Sequence, residues 1–200
     1  MKGTHYNPES CAHSGCGDFA LTGAEHCWEH LTDKAAFVAA LLEKGMADAR
    51  LQGIDLSGMD LRGADLRGAR LSGACLRNAD LRDADLRRTF LDDANLTGAD
   101  LSGANLEFVV LGGADLTGAK LVHARLLRAN LVGAAGEGAD FSEADLYYSR
   151  PGNARFANAS FRGAKIQRAI FRRADLRGAD FTGARGEANF ENAKMEGARR

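Results

Sequence analysis

From Leu51 to Leu131 every fifth residue is leucine, and the same phase runs on through Phe141, Leu146, Phe156, Phe161, Ile166, Phe171, Leu176 and Phe181. Alanine stands two residues before most of these, as at Ala64, Ala69, Ala74, Ala79, Ala94, Ala99 and Ala104, so the usual unit reads Ala-Asp-Leu-x-Gly. A period of five suits neither regular element. On an α-helix successive leucines would fall about 140° apart and form no stripe. On a flat strand they would alternate between opposite faces. The pattern closes only if each pentad is one equivalent unit that bends the same way and turns its Leu and Ala inward. Four such units make a square coil of twenty residues, and stacked coils pair backbone to backbone at about 4.8 Å. Glycine near each corner suits the tight turns.

The apolar fraction of 45 % is spaced too regularly for a solvated low-complexity tract, so a folded repeat is expected. The A(D/N)LxG tandem resembles the pentapeptide-repeat family over residues 46–200. The resemblance implies a mainly β fold, a right-handed quadrilateral β-helix. Gly136 and Pro151 stand where a central Leu or Phe is expected, yet the phase survives both. After Phe181 it slips by one residue, with Ala188 before Phe190 and Ala193 before Met195, which predicts a deletion near Gly186.

An open stack of coils needs its edge covered. Residues 32–45 are expected to be a capping helix, with Thr32 as N-cap, an apolar face of Ala36, Phe37, Ala40 and Leu41, and Gly45 as its stop. Residues 1–31 carry Cys11, Cys16, Cys27 and His30. Zinc takes four such ligands in a tetrahedron, and two short-spaced pairs supply them. A structural Zn2+ module is therefore expected, with free thiols, or His13 or His26 as substitute ligands, as the alternatives. Three cysteines within the first 27 residues fit a metal site in a reducing compartment better than a disulfide framework. No run is long and apolar enough for a membrane span, and no basic-then-apolar leader opens the sequence. The chain reads as cytoplasmic.

No nucleophile constellation or phosphate-binding glycine loop is apparent, Cys75 and His123 fall at outward positions, and the many Asp residues recur as part of the repeat. A non-enzyme is expected, with function on the surface. The twenty-residue coil aligns Asp60, Asp80, Asp100, Asp140 and Asp180 on one face, interrupted by Lys120 and Ser160, with Arg62, Arg82 and Arg162 beside them as potential neutralising partners. A second face shows Phe90, Val110, Val132 and Ile170, and Phe108, Leu127, Tyr147 and Tyr148 add apolar surface around the middle.

Charge is uneven along the axis: residues 46–149 carry a formal −5 and residues 150–200 carry +7. This bears on what the family resemblance implies. Some pentapeptide-repeat proteins imitate duplex DNA, occupy DNA gyrase or topoisomerase IV, and confer resistance to antibiotics that poison those enzymes. Such a mimic should be strongly negative, and this solenoid is not, so the DNA-mimic reading rests on the one acidic face. The leading expectation is a scaffold that binds another protein. Direct nucleic-acid binding by Arg150, Arg155, Arg162, Arg168, Arg172, Arg173 and Arg177 is not indicated, because these residues are dispersed around the square. The resemblance also allows a homodimer through the C-terminal coils, where Phe190 and Met195 would meet.

Overall fold

The computed structural model describes residues 10–200, so the first nine residues of the expected 1–31 module lie outside it. From Arg50 onward the chain forms a parallel ladder in which each bridged residue pairs with the one twenty positions later: Arg50 with Arg70, Asp55 with Cys75, Asp60 with Asp80, Asp65 with Asp85. These four series define four sides, here called A (Arg50, Arg70, Phe90, Val110), B (Asp55, Cys75, Asn95), C (Asp60, Asp80, Asp100) and D (Asp65, Asp85, Asn105). Each side contributes a single bridge per coil, not an extended strand. A turn closes every pentad before a longer strand can form.

Every backbone N–H of an ordinary pentad has a partner, and this explains the consensus. Leu61 N–H donates to Asp80 O on the next coil at 2.8 Å, and Gly63 N–H to Arg82 O at 2.9 Å. Asp80 N–H donates back to Met59 O, while Ala64 N–H closes the turn onto Leu61 O. One donor remains, the residue after leucine, and the preceding aspartate takes it: Arg62 N–H donates to Asp60 Oδ1 at 3.2 Å. The same bond recurs from Ser57 to Asp55, Ser102 to Asp100, Thr117 to Asp115 and Ser142 to Asp140. Aspartate before leucine is thus a backbone acceptor. The corner residue takes positive φ, which is why glycine dominates there.

Inside, the central leucines and alanines are fully buried from Leu66 to Ala179, and Phe141, Phe161 and Phe181 stack in one column at 5.0 and 4.8 Å between ring centroids. Pro151 lacks the N–H that would donate to the next coil, and the Arg150–Ile170 bridge is missing from the ladder, but the phase holds. The slip near Gly186 is present: Lys165 pairs with Arg185, twenty residues on, whereas Ile170 pairs with Asn189, nineteen on.

The helix α1 spans Lys34–Lys44. Its N-cap is Asp33, not Thr32, because Asp33 Oδ1 is the atom that accepts from Ala36 N–H at 2.9 Å. Val38 and Leu41 are buried in the core and Phe37 packs against it, while Ala36 is exposed. The helix face is therefore rotated from the expected one, and it covers the first coil. The preceding segment joins that coil through Thr22, whose N–H donates to Arg50 O at 3.0 Å and whose hydroxyl accepts from Arg50 N–H at 2.7 Å.

Candidate interaction surface and metal cluster

Cys11, Cys16, Cys27 and His30 converge with their ligand atoms all within 4.8 Å of one another. His30 Nδ1 lies 3.5 Å from Cys11 Sγ and 3.3 Å from Cys27 Sγ, and Cys16 Sγ lies 3.9 Å from Cys27 Sγ. A tetrahedral zinc with ordinary Zn–S and Zn–N bonds needs ligand separations of about 3.5–3.8 Å, so this donor set fits one. His13 stacks flat on the His30 ring, with 3.9 Å between centroids, at the edge of the cluster. Cys11 and Cys27 are buried, as are Ala20 and Leu21 of the same segment.

The acidic face is placed on side C as the sequence implies, but its charge is largely spent locally. Arg62 grips Asp60 through two bonds of 2.8 and 2.6 Å, and Arg82 grips Asp80 in the same way. Asp100 accepts from the Ser102 hydroxyl at 2.6 Å, and Asp140 accepts from Ser142 N–H. Asp180 is only 6 % exposed and lies between Arg162 at 3.0 Å and Arg199 at 3.1 Å. Hydrogen bonds from Arg62 hold the Asp60 carboxyl at about 2, and bonds from Thr182, then Arg162, do the same for Asp180.

Side A differs. Arg70, Phe90, Val110, Arg150 and Ile170 occupy the position where Asp or Asn would accept the neighbouring N–H, and Asn130 alone between them keeps that bond, to Val132. Phe90, Phe108, Val132 and Ile170 are 37–44 % exposed; among the described residues the other large exposed hydrophobics are Phe19 and Leu42. Val110 is half-buried on side A, and Leu127 is half-buried on the adjoining side D next to Tyr147. Phe108 sits at the corner between those sides, with φ 59°. So Phe90, Val110 and Val132 share one side, Phe108 joins it from the corner, and Leu127 lies around that corner. The acidic residues lie on the opposite side of the square.

One group escapes a reading of the pentads one at a time. The corner between sides D and A carries, on five consecutive coils, Arg88, Phe108, Arg128, Tyr148 and Arg168, all with φ between 55° and 60°. Reading every twentieth residue at that corner would have revealed it. At the B–C corner the same position holds only Gly58, Asn78, Gly98, Gly118, Gly138, Asn158, Gly178 and Gly197.

The observations define a four-sided parallel solenoid of five-residue units. The family of pentapeptide repeats matches it in eight copies, across residues 46–83, 74–107, 110–146 and 152–185. The chain belongs to the pentapeptide-repeat family. No curated protein matches it. Among solved structures, a trypsin-treated variant of QnrB1, a plasmid-mediated fluoroquinolone resistance protein, is 20 % identical over 76 % of this chain and 82 % of its own, with a TM-score of 0.49. HetL, a pentapeptide repeat protein involved in heterocyst differentiation regulation in Nostoc sp. PCC 7120, is 28 % identical over 84 % of this chain and 97 % of its own, with a TM-score of 0.34. A thylakoid-lumen pentapeptide repeat protein of Arabidopsis thaliana is 30 % identical over 59 % of this chain and 65 % of its own, with a TM-score of 0.24. Family membership rests on the repeat match, and these likenesses add nothing to it. No helix among the described residues is long and apolar enough to cross a membrane.

Proposed function

We propose that this chain is a non-enzymatic scaffold that binds another protein through side A and the D–A corner. The observation that carries this reading is the substitution pattern on side A. Six of its positions, Arg50, Arg70, Phe90, Val110, Arg150 and Ile170, lack the local backbone acceptor, against three or four on each other side, and Phe90, Val110 and Ile170 put large apolar groups there. Aromatic and arginine side chains of this kind dominate protein interfaces. The cluster of Cys11, Cys16, Cys27 and His30 would hold a structural zinc, since four protein donors complete a tetrahedron and leave no open position. Zinc would then lock the segment that covers the first coil.

The DNA-mimic reading draws its support from the Asp60, Asp80, Asp100, Asp140 and Asp180 row, and the arginine pairing of Asp60, Asp80 and Asp180 weakens it. Two assays separate the readings. Immobilised wild-type protein should retain a specific protein from a cell extract, and a Phe108→Ser, Val110→Ser, Leu127→Ser variant should lose it. Identical retention by both proteins would remove the surface. Titration into a gyrase supercoiling reaction, with and without a gyrase poison, should change nothing. Inhibition or protection that is abolished by Asp80→Arg with Asp100→Arg would establish the mimic instead.

A further inference from the structure

Five large residues in the left-handed region at one corner call for a reason. That conformation costs a non-glycine residue about 1–2 kcal/mol, and Asn or Gly is the ordinary solution. Arg, Phe and Tyr have no short side chain with which to relieve it. Strain held at one place while the other corners mostly avoid it points to a use for the side chains.

Their order is regular. Arg88 lies over Phe108 at 5.9 Å, Arg128 over the same ring at 5.6 Å, Arg128 over Tyr148 at 5.8 Å, and Arg168 over Tyr148 at 5.0 Å. Guanidinium and ring thus alternate along the solenoid axis, and each ring has a guanidinium on either side. None of Arg88, Arg128 and Arg168 has an ion pair among the described residues, although Arg62, Arg67, Arg82, Arg87 and Arg177 each grip the aspartate of their own pentad. Of the acids near the corner, Glu107 pairs with Arg125 and Asp145 with Lys165, while Asp48 and Glu187 stand at the two ends of the column, outside the Arg88–Arg168 stretch. The result is a straight row of three unspent cations with ring edges between them.

Successive arginines are two coils apart, about 9.6 Å. An α-helix rises about 10.5 Å over seven residues, so acids at heptad spacing meet this row nearly in register over three positions. Apolar residues at the intervening turn would touch the Phe108 and Tyr148 edges and the neighbouring Phe90 and Leu127. Phosphates of a nucleic-acid strand are spaced much more closely, about 3.4 Å along a duplex axis, and guanidinium groups flank the ring faces that bases would stack on.

We propose that the Arg88–Phe108–Arg128–Tyr148–Arg168 corner is a docking rail for an acidic amphipathic helix of a partner protein, laid parallel to the solenoid axis. This rests on the scaffold reading and specifies its partner. The guanidinium row supplies orientation and register, and the exposed apolar groups of side A supply the buried area.

The test uses the whole chain and three fluorescent probes: a helical peptide with Glu at heptad spacing and Leu on the same face, a peptide of equal composition with Glu every fifth residue, and an oligothymidylate. The variant is Arg88→Gly with Arg128→Gly and Arg168→Gly, which installs the usual corner residue and leaves the backbone unstrained. Wild type should prefer the heptad peptide, and the variant should lose about 10- to 100-fold in affinity for it. Equal affinity for both peptides, or an unchanged variant, overturns the rail. Tighter binding of oligothymidylate that the variant abolishes would replace the helix with a nucleic acid. If the variant still retains the extract protein that the Phe108, Val110, Leu127 variant loses, the rail falls and the scaffold reading stands.

Discussion

Phe156 occupies the space that Gly136 leaves on the coil beneath it: a Cβ on Gly136 would lie 2.5 Å from Phe156 Cε1. The missing leucine and the phenylalanine twenty residues later are one solution to filling the same volume. Gly136→Ala alone should therefore overpack the core and cost about 1–3 kcal/mol in urea unfolding. Adding Phe156→Leu should recover much of that loss. Additive effects of the two changes would show that the positions do not share a cavity.

The corners offer a cleaner measure of backbone strain. Gly118 has φ 64° and a Cβ there would meet no atom within 4 Å, so Gly118→Ala should cost about 1 kcal/mol from conformation alone. His123, at φ 58° and exposed, should respond in the opposite direction. His123→Gly is expected to stabilise by about 0.5–1 kcal/mol. Melting temperatures of the two variants, measured side by side, check both signs.

Acid should unfold the chain in a window set by its paired aspartates. Bonds from Arg62, Arg67 and Thr182 hold Asp60, Asp65 and Asp180 at about 2 in the folded state, against about 3.9 for a free aspartate. The unfolded chain then binds more protons than the folded one between these values. The stabilisation is complete above about pH 4 and is lost as pH falls toward 2. Urea midpoints at about pH 7, 4 and 2.5 should fall chiefly in the last interval, and less so for Asp60→Asn with Asp65→Asn.

Metal removal should act locally. Chelation, or Cys27→Ser, is expected to eliminate a single bound zinc per chain measured by elemental analysis. It should also release the amides of Cys11 and Leu21, which bond to Asp18 O and His26 O, to rapid hydrogen exchange. Amides of the coils from Leu61 to Phe181 should keep their protection. Absence of zinc from protein purified in metal-replete conditions would contradict the assignment.

The coil was legible in the sequence because Leu and Ala recur every five residues and the tandem resembles a family of four-sided coils, and the slip at Gly186 was legible as a break in that period. The capping helix was placed within two residues at its start, but Thr32 and Asp33 are both competent caps, and spacing alone does not choose between them. The acidic face was legible as a row, with its arginines as candidate partners. The grip of Arg62 on Asp60 and of Arg82 on Asp80 follows the Asp-Leu-Arg spacing, which recurs at Asp65, Asp85 and Asp175, and could have been read from that triplet. The rail at Arg88, Phe108, Arg128, Tyr148 and Arg168 was hidden for another reason. Its members lie twenty residues apart at the glycine position, and only the stacking of coils brings Arg88 over Phe108.

The most direct test of the account is a hydrogen-exchange footprint of the chain in complex with the protein it retains from extract. Slowed exchange should centre on peptides spanning 87–92, 107–112, 127–132 and 147–152, the segments that carry the D–A corner and side A. A footprint centred on Asp60, Asp80 and Asp100 instead, with side A unchanged, would contradict the central claim and return the acidic face to the leading position.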